Sequence, residues 1–262
     1  MLSGKTALLS GSVGGIGYAT AEALAAQGCN VMLNGFGDPG EIEEKRAALE
    51  TQHGVKARYH GADLRNVPEI EDLVATTERD LGPVDILVNN AVVRHFGLIE
   101  DFTTEDWQEG LDVNLSSAFH LIRLTMRGMK QRGWGRVVNL ASTLGIIAMP
   151  NRVDYIVTKT ALMGMARAIA LETQQEPNIT VNAICPGAVK TPAAVTRVVA
   201  LAESKGISVE EATNEFLDGR QASGRFIEPS QVAALIVFLC SDAAREITGT
   251  SIPIDDGWTI SP

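Results

Sequence analysis

The chain has 262 residues, 45% of them hydrophobic, and a formal net charge of −10. That length buries a sizeable core without covalent staples, and the acidic balance, with no Lys/Arg run, argues against a nucleic-acid partner. No apolar run reaches the ~20 residues of a membrane span, and Cys29, Cys185 and Cys240 fit neither a disulfide framework nor a metal spacing.

Thr6–Ser10 is a short apolar run between glycines and reads as a buried strand. A helix pattern follows from about Gly15 to Gln27 and stops at Gly28. Asn30–Asn34 is a second strand, closed by Gly35-Phe36-Gly37. Glu41 to His53 is a charged helix ended by Gly54, and Lys56–His60 a third strand. Pro68–Asp80 is a helix with proline in its first turn. Val84–Val88 is the fourth strand, Glu105 to about Gln131 a long helix, and Arg136–Leu140 the fifth strand. Asp154 to about Thr173 is another long helix. Ile179–Ile184 and Ser251–Ile254 are the sixth and seventh strands. Short strands alternating with helices predict one α/β domain over residues 1–262. It is a doubly wound, Rossmann-type, mostly parallel seven-stranded sheet with helices on both faces. Residues 191–227 break the rhythm: they are charged, helical in pattern and strandless. An insertion at the carboxyl edge of such a sheet is placed to serve as a lid over a ligand crevice.

Gly11-Ser-Val-Gly14-Gly15-Ile16-Gly17 follows the first strand and opens the first helix. Glycines there permit a tight turn and close backbone approach, and a helix N-terminus offers free N–H groups to a pyrophosphate. Tyr155 and Lys159 are spaced i, i+4, so on a helix they share a face. A free phenol has a pKa of about 10. A neighbouring ammonium pulls it towards neutrality, which makes a proton-transfer pair. Ser142 and Asn114 lie upstream.

These motifs, in this order, resemble the short-chain dehydrogenase/reductase family along essentially the whole chain. The set is Gly11/Gly15/Gly17, Asp63-Leu64, Asn89-Asn90-Ala91, Asn114, Ser142, Tyr155/Lys159, Cys185-Pro186-Gly187 and Thr191-Pro192. The resemblance implies a nicotinamide dinucleotide cofactor and Tyr155 as general acid/base. It also implies that Lys159 lowers the tyrosine pKa and holds the nicotinamide ribose, that Ser142 holds the substrate oxygen, and that Asn114 holds a relay water. It makes Val13, Ile16, Asp63, Leu64, Asn90, Pro186, Gly187, Val189 and Thr191 further cofactor contacts, with Phe36 beside the adenosine. No cation stands in the glycine loop or directly after the second strand, which favours NAD over NADP. Three departures are visible: Val92 where a glycine is usual, Ser10 where threonine is common, and Trp258 in place of a second glycine.

Within the family, local wording resembles the bacterial D-3-hydroxybutyrate dehydrogenases, whose pocket takes a short carboxylate. His95 is retained at its position, but the other pocket positions carry Arg94, Leu144, Arg152, Ala188 and Arg197. Guanidinium groups replace neutral amides and a lysine, and a methyl replaces an indole. Arginine offers a planar fork suited to carboxylate, sulfonate or phosphate. The expected substrate is therefore a small anionic hydroxy or oxo acid: a 3-hydroxy acid such as D-3-hydroxybutyrate or a larger or more highly charged analogue. The same scaffold serves 3-oxoacyl-thioester reductases and sugar-acid or polyol dehydrogenases, whereas a dinucleotide sensor would not need both Tyr155 and Lys159. The resemblance further implies a homotetramer. No membrane, no nucleic acid and no metal is expected, and the absence of a signal-peptide pattern predicts a cytoplasmic protein with buried free thiols.

Overall fold

The structure is a computed structural model describing residues 2–260. In chain order it runs β1 (Thr6–Leu9), α1 (Gly15–Ala25), β2 (Asn30–Asn34), α2 (Pro39–His53), β3 (Ala57–His60), α3 (Val67–Leu81) and β4 (Val84–Asn89). It continues with α4 (Thr104–Leu111), α5 (Ser117–Arg132), β5 (Gly135–Leu140), α6 (Val153–Glu172) and β6 (Ile179–Pro186). The last elements are α7 (Pro192–Lys205), α8 (Val209–Leu217), α9 (Pro229–Cys240) and β7 (Ser251–Ile254).

The seven strands form one parallel sheet in the order β3-β2-β1-β4-β5-β6-β7. Strands β1, β4, β5 and β6 are buried along their whole length. Helices cover both faces, so these strands read as unbroken apolar runs rather than alternating ones. Alternate side chains feed two cores. Leu8, Leu87, Val137 and Val181 pack beneath α3, α5 and α6; Leu9, Ile86, Val138 and Ile184 pack beneath α1 and α9. Strand order reverses between β1 and β4, and the carboxyl ends of those strands part there to leave a crevice.

Two elements differ from the sequence reading. The long helix expected over 105–131 is two helices joined by a widened turn at Asp112–Ser116, where the Ser117 N–H bonds back to Asp112 O. One extra residue per turn is a π-bulge, a feature frequent at functional sites, and this one carries Asn114. Helix α9 was not expected. Its Glu228–Gln231 capping box and Pro229 start it cleanly, and Val232, Ile236 and Leu239 bury against the second core. The 191–227 segment is helical as expected. It forms α7 and α8 with a small core of their own (Val198, Ala202, Ala212) and returns to the sheet through a bridge between Val189 and Ile227.

Candidate active site

The glycine loop connects β1 to α1 across the crevice. Gly11 and Gly15 have φ of +60° and +54°, where side chains are strained, and a Cβ on Gly11 would stand 2.7 Å from Ala91 Cα. Ser10 ties the loop to the end of β4: its Oγ accepts the N–H groups of Asn90 and Ala91 at 3.0 and 3.1 Å. Asn90 Nδ2 donates to the Ser10 and Gly11 carbonyls. Gly17 packs directly on the Gly11 carbonyl. Helix α1 has no side-chain cap and no acidic residue in its first turn. Its N–H groups therefore remain available to an anion.

Two cavities flank this loop. One, of about 410 Å³, is lined by Gly11, Val13, Gly35, Phe36, Asp63, Leu64 and Ala91, among others. The other, of about 110 Å³, is lined by Ile16, Asn90, Tyr155, Lys159, Pro186, Gly187, Val189 and Thr191, among others. Every cofactor contact expected from the sequence lines one of the two, apart from Gly15 and Gly17, which shape the loop behind them. A dinucleotide fits this cradle: glycines allow close approach, the uncapped helix end offers donors, and cavities lie on both sides. Asp38 caps α2 by accepting the Glu41 N–H at 3.0 Å and is engaged there. Lys45 reaches back from α2 to donate to Val13 O at 2.8 Å, a cation near the loop that the local sequence did not reveal.

The proton-transfer residues converge at the C-terminal edge of β5. Ser142 follows that strand and caps a short turn: its Oγ accepts the Leu144 N–H at 3.1 Å, and its hydroxyl hydrogen-bonds the Tyr155 phenol. Tyr155 and Lys159 lie one turn apart on α6, both buried. Lys159 Nζ donates to Leu140 O at 2.5 Å and lies 5.7 Å from the Tyr155 ring centre. Asn114 is buried behind them. Its amide pairs with both the N–H (2.8 Å) and the carbonyl (3.1 Å) of Val93 and reaches Thr158 at 3.4 Å, pinning the segment after β4 to α6.

Burial raises the Tyr155 phenol. The charges of Arg94 and Lys159 and hydrogen bonds from Ser142 and Arg94 outweigh it and lower the pKa to about 8. Burial, with Arg94 nearby, brings Lys159 down to about 8 against the opposing pull of Tyr155. A phenol and an ammonium that both titrate near neutrality suit acid–base chemistry.

Beyond Tyr155 lies a smaller chamber of about 80 Å³. Arg94, Ser142, Leu144, Arg152, Ala188 and Arg197, all expected from the sequence, line it together with Tyr155. Met149, Phe216, Arg220 and Trp258 line it too and were not expected. Only the fold brings them there; Trp258 alone carried a signal, the missing second glycine. Arg94 Nη2 lies 3.5 Å from Tyr155 Oη, and its guanidinium lies 4.9 Å from the ring centre. His95 is the exception to the expected substrate set. It does not line the chamber. Its Nδ1 stands 2.9 Å from the buried Asp154 Oδ2 and its Nε2 3.1 Å from Glu109 Oε2, so both ring nitrogens are engaged. Its neighbours in the fold hold the ring. Burial lowers its pKa and the Asp154 and Glu109 hydrogen bonds raise it, with a net rise. An open cleft of about 880 Å³ lies elsewhere, along α7, α8 and residues 221–231, and contains none of the residues expected at the site.

This fold, with the glycine cradle and the Ser142–Tyr155–Lys159 cluster, defines a class. The chain belongs to the short-chain dehydrogenase/reductase family, and the family model described as enoyl-(acyl carrier protein) reductase matches residues 11–259. It is similar to the D-beta-hydroxybutyrate dehydrogenase of Cupriavidus necator, 46% identical over 98% of this chain and 99% of that one. It is also similar to the enzyme of the same name from Rhizobium meliloti, 42% identical over 97% and 98%. Among solved structures it resembles L-sorbose reductase from Gluconobacter frateurii complexed with NADPH and L-sorbose. The TM-score is 0.94 at 30% identity, covering 99% and 98% of the two chains. The chain is an oxidoreductase acting on CH–OH groups with a nicotinamide dinucleotide. Among the described residues no helix is long and apolar enough to cross a membrane, and the three cysteines are free and buried.

Proposed function

We propose that the protein is an NAD-dependent oxidoreductase that interconverts a secondary alcohol and a ketone on a small anionic hydroxy or oxo acid. A 3-hydroxy acid of the D-3-hydroxybutyrate kind, or a larger or more charged analogue, is the substrate. The observation that carries this reading is that one chamber brings Tyr155 Oη and Ser142 together with arginine side chains. The relatives named D-beta-hydroxybutyrate dehydrogenase support the substrate class.

When bound, the dinucleotide supplies the hydride acceptor. In the oxidation, Tyr155 as phenolate takes the proton of the carbinol hydroxyl. Ser142 turns its hydroxyl proton from Tyr155 to the same substrate oxygen and stabilises the charge that develops there. Lys159 holds the phenolate form through its charge, and Arg94 does so from the other side. Asn114 keeps residue 93, and so Arg94, against α6. Arg94 and the arginines beyond it orient the acid group. Reduction runs the same proton path backwards.

NAD is favoured because the cations flanking the cradle are engaged. Arg65 forms a bidentate pair with Asp63 and a second pair with Glu109, and Lys45 is held by Val13 O. Neither is free for a 2′-phosphate. A homotetramer is supported by large apolar side chains left exposed on the two long helices, Phe119 on α5 and Val157 and Leu171 on α6. A cytoplasmic location is supported by the buried free thiols.

A steady-state screen of secondary alcohols with NAD and with NADP, read by the absorbance of the reduced nicotinamide, tests the reading. It predicts turnover of 3-hydroxy acids with NAD and little turnover of a neutral secondary alcohol of equal size. Better turnover of the neutral alcohol would overturn the anionic substrate. A higher kcat/KM with NADP would overturn the cofactor choice.

A further inference from the structure

The chamber beyond Tyr155 is lined by four guanidinium groups, Arg94, Arg152, Arg197 and Arg220, and by no carboxylate. A lone cation there would orient a monocarboxylate; four call for more. Among the described residues none of the four forms an ion pair. Arg94 touches only the Tyr155 phenol and ring. The Arg152 guanidinium stacks on Phe96 at 4.7 Å. Arg197 donates Nε to Ala193 O at 3.2 Å and lies 5.5 Å from the Phe216 ring centre. Arg220 donates Nη1 to Phe216 O at 2.7 Å and lies 4.4 Å from the same ring. Aromatic faces and backbone carbonyls therefore fix the planes of these groups without neutralising them. Arg152, Arg197 and Arg220 are half-buried. Burial, with the repulsion of neighbouring arginines, lowers the pKa of Arg197 to about 10 and that of Arg152 below its ordinary value. Like charges gathered in a small, partly dry chamber destabilise the free protein until an anion enters. In an acidic chain such a cluster stands apart from the surrounding field.

Charge balance favours more than one anionic group on the substrate. The Tyr155 phenolate contributes at most one negative charge, next to Arg94. A monocarboxylate adds one more and leaves two guanidinium groups without a counter-charge. Arg94 and Arg197 line the cavity that also holds Lys159, whereas Arg152 and Arg220 line the far chamber and not that cavity. The cations thus extend away from the carbinol position.

We propose that the substrate carries two anionic groups. A hydroxy or oxo acid would then place one group near Arg94 and a second among Arg152, Arg197 and Arg220. Arg220, on the turn after α8, is a specificity-determining residue for that second group. The proposal rests on the oxidoreductase reading above and deepens it.

The test compares 3-hydroxybutyrate with 3-hydroxyglutarate, which has the same reacting carbinol and one more carboxylate, both with NAD. The expected kcat/KM ratio favours the dicarboxylate by about 100-fold, and Arg220→Gln lowers that ratio at least tenfold. A ratio below tenfold overturns the proposal, while turnover of 3-hydroxybutyrate leaves the underlying reading standing. If neither acid is oxidised, that substrate reading fails. Calorimetry on the NAD-loaded protein then decides the charge count: glutarate must bind at least tenfold more tightly than butyrate, and a smaller difference overturns the proposal.

Discussion

On one side of the crevice, Ser142, Tyr155 and Lys159 stand on a strand edge and a long helix, and all three are buried. On the other side, Arg152, Arg197 and Arg220 stand at a helix start, on α7 and on the turn after α8, and are half-buried. The first side is tied to β5 by the Lys159–Leu140 hydrogen bond, and Asn114 links α6 behind it to residue 93. The second is held by ring stacking and single carbonyl contacts. The difference separates two tasks. On the proposed reading, a rigid sheet edge carries the chemistry that every substrate shares, and Arg197 and Arg220 on the helical insertion, with Arg152 at the start of α6, choose among substrates. Arg94 belongs to both, because it lines both cavities and touches the Tyr155 phenol.

The comparison can be broken at several points. Tyr155→Phe removes the proton carrier while leaving its ring, so kcat falls ~100-fold or more with an unchanged circular-dichroism spectrum. Full activity would remove the acid/base role. Arg152→Ala acts only on the anion side. It lowers kcat/KM for every acid about tenfold, mainly through KM, and unchanged turnover would discard the anion clamp. Gly110→Ala probes the packing behind the chemistry. A Cβ there would stand 2.9 Å from Asp154 Oδ2, so the stability read from a denaturant midpoint falls by ~1–3 kcal/mol. The smallest effect belongs to His95. Its folded pKa is raised, so its stabilising contribution is full below the ordinary value of about 6.5 and is lost as pH rises through the raised value. That contribution is partly screened at the surface and stays below ~1 kcal/mol. His95→Gln flattens this part of the stability–pH profile, and an unchanged slope would show that the imidazole is not held by Asp154 and Glu109.

The same division explains what the sequence made legible. Strands such as β4, buried on both faces, appear as continuous apolar runs, and Tyr155 and Lys159 meet because helical geometry brings i and i+4 together. Nothing local marks Arg220 or Phe216. They lie in a charged segment like any solvated one, and only the return of residues 220–227 to the sheet turns them inward. The π-bulge at Asn114 was invisible because one extra residue barely disturbs a helical period, and the Val93 that Asn114 pairs with is distant in sequence. Helix α9 is apolar on most faces, which hides its period; its Glu228-Pro229 start and Gln231 were the readable signal. His95 was read as a substrate contact from the resemblance, and its pairing with Asp154, distant in the chain, is visible only in the fold.

The central claim is that the two sides share one electrostatic field, with Arg94 and Lys159 together holding Tyr155 near pH 8. Ultraviolet difference titration tests it without any substrate, because the chain has only three tyrosines and Tyr18 is shifted upward by burial and Glu22. The account predicts one tyrosine ionising near pH 8 in the wild type, absent in Tyr155→Phe and displaced to higher pH in Arg94→Gln. A wild type with no tyrosine ionising below the ordinary value of about 10, or a midpoint that stays in place in Arg94→Gln, would contradict it.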